Sequence, residues 1–130
     1  MAYVLIADDD PDNRNLLKIR LEAIGHEVME ATDGEDGLRR AQRQKPDLVI
    51  LDVMMPKIDG WELCRRLRAD PKTHTTPIIM LTACSQDIEQ LRGWESGADE
   101  YLTKPWDAEK LMQAITRLLP SAASGVQTNT

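Results

Sequence analysis

Little in this chain can serve disulfide, redox or membrane chemistry. It has two cysteines, Cys64 and Cys84, and they fall in neither a metal-type nor a CxxC spacing. They are read as two reduced, partly buried thiols, not as a disulfide framework. Its two histidines, His26 and His74, lie in turn-like contexts with no nucleophile nearby, and both are read as surface residues. No apolar run approaches the length needed to span a bilayer. The opening residues, MAYVLIADDD, lack the basic flank and the apolar length of a secretory signal, so a cytoplasmic location is expected. Positive charge is also short. Sixteen Lys and Arg face 22 Asp and Glu, a net charge of −6. That counts against a nucleic-acid surface, because affinity for DNA rests mainly on basic side chains neutralising phosphates.

What remains is an ordinary globular composition, with 42% hydrophobic and 29% charged residues over 130 positions. That length fits one domain with a core that needs no staples. The chain alternates two kinds of segment. Short apolar runs occur at YVLIA (3–7), EVMEA (27–31), DLVIL (47–51), PIIMLT (77–82) and DEYLT (99–103). Each is followed by a stretch with helical signals: residues 10–25, 33–45, 59–70, 85–97 and 107–119. Asp10 can cap the first helix, and Pro11 suits its first turn. Asp12 is a first-turn acid favoured by the helix dipole. Leu17, Leu21 and Ile24 make its apolar stripe, and Gly25 stops it. The second helix is the weakest, with two glycines and only Leu38 and Ala41 turned inward. Ile88, Leu91 and Trp94 share one face of the fourth, and Leu111, Ile115 and Leu118 one face of the fifth.

Five strand–helix repeats predict an α/β fold, a doubly wound parallel sheet with helices on both faces. The first, third and fourth strands are apolar throughout, as strands covered on both faces should be. The second and fifth are more polar and suit the edges. The final residues, PSAASGVQTNT, are small and polar. Residues 1–119 are therefore expected to form the domain, and 120–130 a flexible tail or the start of a linker.

In an open α/β sheet the working residues gather at the carboxyl ends of the strands. The first strand ends in Asp8, Asp9 and Asp10, and the third runs into Asp52. The fourth ends in Thr82 and Ala83, and the fifth leads to Lys104 and Pro105. Carboxylates packed together repel unless a cation lies among them. A set of hard oxygen ligands without His or Cys suits Mg²⁺ or Mn²⁺. Lys104 adds a mobile point charge. A carboxylate nucleophile attacking a phosphoryl group needs this neutralisation, and the product is an acyl phosphate. A rigid strand end would aim Asp52 into such a site.

Four segments, VLIADDD, DLVILDVMMPKIDGWELCRRLR, PIIMLTA and GADEYLTKPW, occur in this order from residue 3 to about residue 119. Together they resemble the receiver domain of bacterial two-component response regulators, the chemotaxis-type fold. The resemblance implies a flavodoxin-like (βα)5, three-layer α/β/α architecture with strand order 2-1-3-4-5. It implies that Asp52 is the phosphoacceptor, Asp9 a direct Mg²⁺ ligand, Asp8 a ligand through water and Met54 a ligand through its backbone carbonyl. Thr82 would contact the phosphoryl group, Tyr101 would swing with it, and Lys104 would pair with its oxygens. The Lys104–Pro105 peptide would be cis. Ala83 and Cys84, at the mouth of the site, would modulate access.

The implied function is a phosphorylation-dependent switch. A histidine kinase or phosphotransfer protein supplies the phosphoryl group, and the domain catalyses its own phosphorylation and slow dephosphorylation. The surface of the fourth helix, fifth strand and fifth helix then changes for a downstream partner. No direct nucleic-acid or membrane contact is implied, and a phosphorylation-dependent homodimer is compatible with the reading. Gln90, Lys110 and Ala114 leave incomplete the charged set that pairs transcription-factor receivers, which favours a stand-alone regulator. Two other readings are a phosphohydrolase acting on external substrates and a docking module that needs no phosphorylation. The first would place an aspartate general acid at position 54, where this chain has Met54. The second is opposed by Asp9, Asp52, Thr82 and Lys104 being present together. Of the remaining aromatics, Trp94 is read as core, Trp106 as packing on the last helix, and Trp61 as partly exposed and without a role.

Overall fold

The alternation of apolar runs and helices becomes a five-stranded parallel sheet in the order β2-β1-β3-β4-β5. The computed structural model describes residues 2–53, 55–82, 97–103 and 107–119, and of Thr82 and Thr103 the backbone. The strands are β1 (Tyr3–Ala7), β2 (Glu27–Ala31), β3 (Leu48–Asp52), β4 (Ile78–Thr82) and β5 (Glu100–Thr103). The described helices are α1 (Pro11–Ala23), α2 (Gly34–Gln44), α3 (Gly60–Ala69) and α4 (Ala108–Leu118). The helix expected at 85–97, with Trp94, lies outside the described residues, as do Trp106 and the tail at 120–130.

Side chains alternate across the sheet and divide the core in two. Val4, Ile6, Leu48, Ile50, Ile79 and Leu81 pack with Leu17 and Leu21 of α1 and with Leu111 and Ile115 of α4. Leu5, Val49, Leu51, Ile78 and Met80 face the other way, with Ala41 of α2 and with Leu63, Cys64 and Leu67 of α3. Burying Leu17 and Leu21 completely is worth about 1.5–3 kcal/mol each.

Each helix begins as its sequence directs. The carboxylates of Asp10, Asp33, Asp59 and Asp107 accept backbone N–H groups in the first turns of α1, α2, α3 and α4. The glycines of α2 have a packing reason. Gly37 lies so close to Leu63 and Ala7 that a Cβ would meet the Leu63 methyl at 3.1 Å. Gly25 ends α1 with φ +95°, a backbone that side chains rarely adopt.

Several sequence expectations are corrected. Ile24, expected in the apolar stripe of α1, lies just past the helix end and is 53% exposed. β3 runs one residue further than expected and includes Asp52, which pairs with Leu81 of β4. Cys64 is fully buried in the α3 face of the core, where partial burial was expected. Trp61 is not partly exposed. It retains 8% exposure, and its ring lies 6.1 Å from that of Tyr101 at 33°. An aromatic one residue into a helix looks exposed in sequence, but this turn of α3 faces inward against β4 and β5. His26 is half-buried, and its Nδ1 accepts the Ala2 N–H at 3.1 Å. His74 is exposed, as expected.

Candidate functional site

Strand register assembles the site before any side chain is considered. β1 and β3 pair from Val4 with Leu48 to Ala7 with Leu51, so one further step sets Asp8 beside Asp52. Asp52 pairs with Leu81, which places Thr82 one residue beyond it on the neighbouring strand. Thr82 in turn pairs with Thr103, the residue before Lys104. The carboxyl ends of β1, β3, β4 and β5 thus converge on one edge, where the sheet reverses its winding between β1 and β3.

Three of the predicted ligands meet there. Asp8, Asp9 and Asp52 each offer a carboxylate oxygen, and these oxygens lie within 4.8 Å of one another. Asp8 and Asp52 are 1% and 5% exposed, whereas Asp9 is exposed. Burying two carboxylates costs heavily unless hydrogen bonds or a cation compensate. Asp8 is held by both oxygens. Its Oδ1 accepts the Asp10 N–H at 2.9 Å, and its Oδ2 accepts from Asn13 Nδ2. Arg14, ion-paired to Glu30 at 3.1 Å, donates to the Asp8 carbonyl at 2.7 Å. Asp10 serves as the α1 cap, as the sequence suggested, accepting the Asp12 N–H at 3.0 Å.

Asn13 and Arg14 were not singled out in the sequence. The available signal was their place in the first turn of α1, above the aspartate run. Tyr101 is half-buried on β5 and stacked at a tilt on Trp61. Met54, Ala83, Cys84, Lys104 and Pro105 lie outside the described residues, and of Thr82 only the backbone position is described. Glu62 and Asp70, away from this edge, titrate below the usual carboxylate range. Glu62 is lowered by hydrogen bonds from Arg66 and Arg65, and Asp70 by the Lys72 N–H. The donor set is all oxygen, which suits a hard divalent cation.

The response regulator receiver domain profile matches residues 4–116 of the chain. The chain belongs to the receiver domain family. Its relatives include the DNA-binding dual master transcriptional regulator RpaA of Synechocystis, 45% identical over 92% of this chain and 49% of RpaA. Protein PilH of Pseudomonas aeruginosa is 40% identical over 92% of this chain and 98% of PilH. The chain therefore spans about half the length of RpaA and nearly all of PilH. Among solved structures, the receiver domain of sensor histidine kinase PA1611 from Pseudomonas aeruginosa PAO1 superposes with a TM-score of 0.85. It is 29% identical, the match covers 92% of this chain and 98% of that one, and that structure has a magnesium ion coordinated in the active site cleft.

As a receiver domain of two-component systems, the chain is a phosphorylation-dependent signalling module. Such domains take their phosphoryl group from histidine kinases and bind Mg²⁺ at an acidic pocket. Asp8, Asp9 and Asp52 form such a cluster here. No helix among the described residues is long and apolar enough to cross a membrane.

Proposed function

We propose that Asp52 is the phosphoacceptor of this receiver and that Asp9 and Asp52 hold a Mg²⁺ ion directly, with Asp8 acting through water. The observation that carries this reading is the meeting of these three carboxylates at the carboxyl edge of the sheet. An Asp52 carboxylate oxygen attacks the phosphorus of a phosphohistidine on the kinase or phosphotransfer protein. The phosphorus–nitrogen bond breaks, and the imidazole leaves carrying the electron pair. The ion, when bound, neutralises the oxygens of the transferring group. The burial of Asp52 at the end of β3, paired with Leu81, keeps its carboxylate aimed.

Further roles rest on the resemblance. Met54 supplies a backbone carbonyl to the ion. Lys104 pairs with the phosphoryl oxygens, Thr82 contacts them, and Tyr101 moves with Thr82. Ala83 and Cys84 tune access, and Pro105 follows a cis peptide. The surface of residues 85–97, β5 and α4 then presents the signal to a downstream protein, with a homodimer among the forms it can take. Residues 1–119 act as the receiver unit, 120–130 as a tail or linker, and the setting is the cytoplasm. Mn²⁺ is expected to substitute for Mg²⁺, since both take oxygen ligands.

The test is intact mass after incubation with a small phosphodonor and Mg²⁺, for the wild type and for Asp52→Asn. One added phosphoryl group in the wild type, absent without Mg²⁺ and absent in the variant, is expected. If neither protein gains mass and beryllofluoride fails to bind the folded wild type, the switch reading gives way to a docking module.

A further inference from the structure

The loop that leaves Asp52 is held at both ends by missing side chains. Residues 53–59 connect β3 to α3. At the base, the Gly60 N–H donates to the Val53 carbonyl at 2.9 Å. A Cβ on Gly60 would fall 2.5 Å from the Asp52 carbonyl oxygen. At the far end, residues 56–58 rest on the first turn of α2. There the Gly34 N–H points to the Pro56 carbonyl at 3.5 Å, and Lys57 Nζ lies 3.7 Å from Asp33 Oδ2. Asp33 thus acts twice, pairing with Lys57 and capping α2 through the Asp36 N–H at 2.9 Å.

The contact at Gly34 is the tightest. A Cβ there would lie 1.9 Å from the Ile58 carbonyl oxygen and 2.6 Å from the Ile58 Cβ. Backbone atoms cannot swing aside as the end of a side chain can, so one of the two segments would have to move by more than an ångström. α2 is not free to move. Gly37 is packed against Leu63 and Ala7, and Ala41 is fully buried. The loop must therefore yield. It is also held in a form it would not favour alone: Lys57 has φ +71°, in the left-handed region that residues other than glycine rarely adopt.

We propose that Gly34 is a positioning residue for the metal site. By letting the start of α2 close on residues 56–58, it fixes the path of the chain leaving Asp52 and so sets the affinity of the acidic cluster for Mg²⁺. The inference rests on the metal-site reading above. Gly34 touches neither the ion nor a reacting atom. It acts through the loop.

The experiment is a Mg²⁺ titration by calorimetry on the full chain, with a urea melt of each protein, for the wild type, Gly34→Ala and Lys57→Met. Gly25→Ala serves as control, because Gly25 carries a strain of its own at φ +95° but has no atom near its Cβ position. Gly34→Ala is expected to bind Mg²⁺ about tenfold or more weakly, the scale seen when a residue supporting metal ligands is lost. Gly25→Ala should bind as the wild type does, even where it is less stable. Lys57→Met separates positioning from charge. Removing a positive charge from the protein would by itself tighten a cation. Loss of the Asp33 pair instead weakens it, by about two- to fivefold for a surface ion pair. If Gly34→Ala does not fold, Lys57→Met decides the matter, and tighter or unchanged binding overturns the proposal. Unchanged Mg²⁺ affinity in a folded Gly34→Ala also overturns it. A wild type that binds no Mg²⁺ defeats the metal-site reading itself, whereas only the ratio of variant to wild type bears on Gly34.

Discussion

Replacing Asp52 with asparagine should make the metal-free protein more stable. The Asp8, Asp9 and Asp52 oxygens lie within 4.8 Å of one another, and Asp8 and Asp52 are nearly inaccessible. At that separation two unit charges repel by about 3.5 kcal/mol at an effective dielectric near 20, and by about 0.9 kcal/mol in bulk water. The buried pair lies towards the first figure and exposed Asp9 towards the second. Asparagine keeps one oxygen as an acceptor but loses charge-assisted hydrogen bonding, which returns about 1–2 kcal/mol. The net gain is about 1–3 kcal/mol in EDTA at neutral pH, or about 3–10 °C in Tm for a chain of this size. Mg²⁺ should reverse the order. At a hundredfold excess over Kd it stabilises the wild type by about 2.7 kcal/mol, and a variant with a depleted site gains little. Differential scanning calorimetry of both proteins, with EDTA and with Mg²⁺, checks this. A variant that is less stable than the wild type in EDTA, or that gains as much from Mg²⁺, would refute the account of the cluster as mutually repelling metal ligands.

Three other perturbations test the packing around the site. Trp61→Ala should cost about 3–5 kcal/mol in urea unfolding, because the ring is buried and stacked on Tyr101; a loss under about 1 kcal/mol would restore the reading of Trp61 as partly exposed. Gly60→Ala should destabilise by about 1–3 kcal/mol, since its Cβ would press on the Asp52 carbonyl oxygen from 2.5 Å. The same variant should broaden or shift the Asp52 backbone amide resonance, and an unshifted amide with full stability would argue that the contact is soft. Burial lowers the His26 pKa below its ordinary 6.5. The unfolded chain then binds a proton more readily than the folded one, so this contribution is complete above the unfolded pKa and is lost as the pH falls through it towards the lower folded value. Urea midpoints from about pH 8 to about pH 5 should therefore decline more steeply in the wild type than in His26→Asn, and parallel declines would remove His26 as the cause.

The sequence by itself determined the frame. Apolar runs of about five residues, alternating with capped helical stretches, can bury their surface only as a parallel sheet covered on both faces, and the strand limits agree to within one residue. The polar second and fifth runs marked the edges, as the observed order confirms. The same reading put carboxylates at strand ends, because strand periodicity is local and the carboxyl edge follows from topology. Tertiary structure alone decided what met there. Register set Asp8 beside Asp52, and the first turn of α1 brought Asn13 and Arg14 onto Asp8. Trp61 read as partly exposed because it opens α3, yet the turn of α3 carries it against Tyr101, forty residues away in the chain. The glycines of α2 read as weaknesses in a helix. Gly34 is needed because the backbone of Ile58, distant in sequence, occupies the space where its Cβ would stand. Propensity and pattern report what a residue prefers among its neighbours. Close approach between segments far apart in the chain is fixed only when the sheet has set their distance.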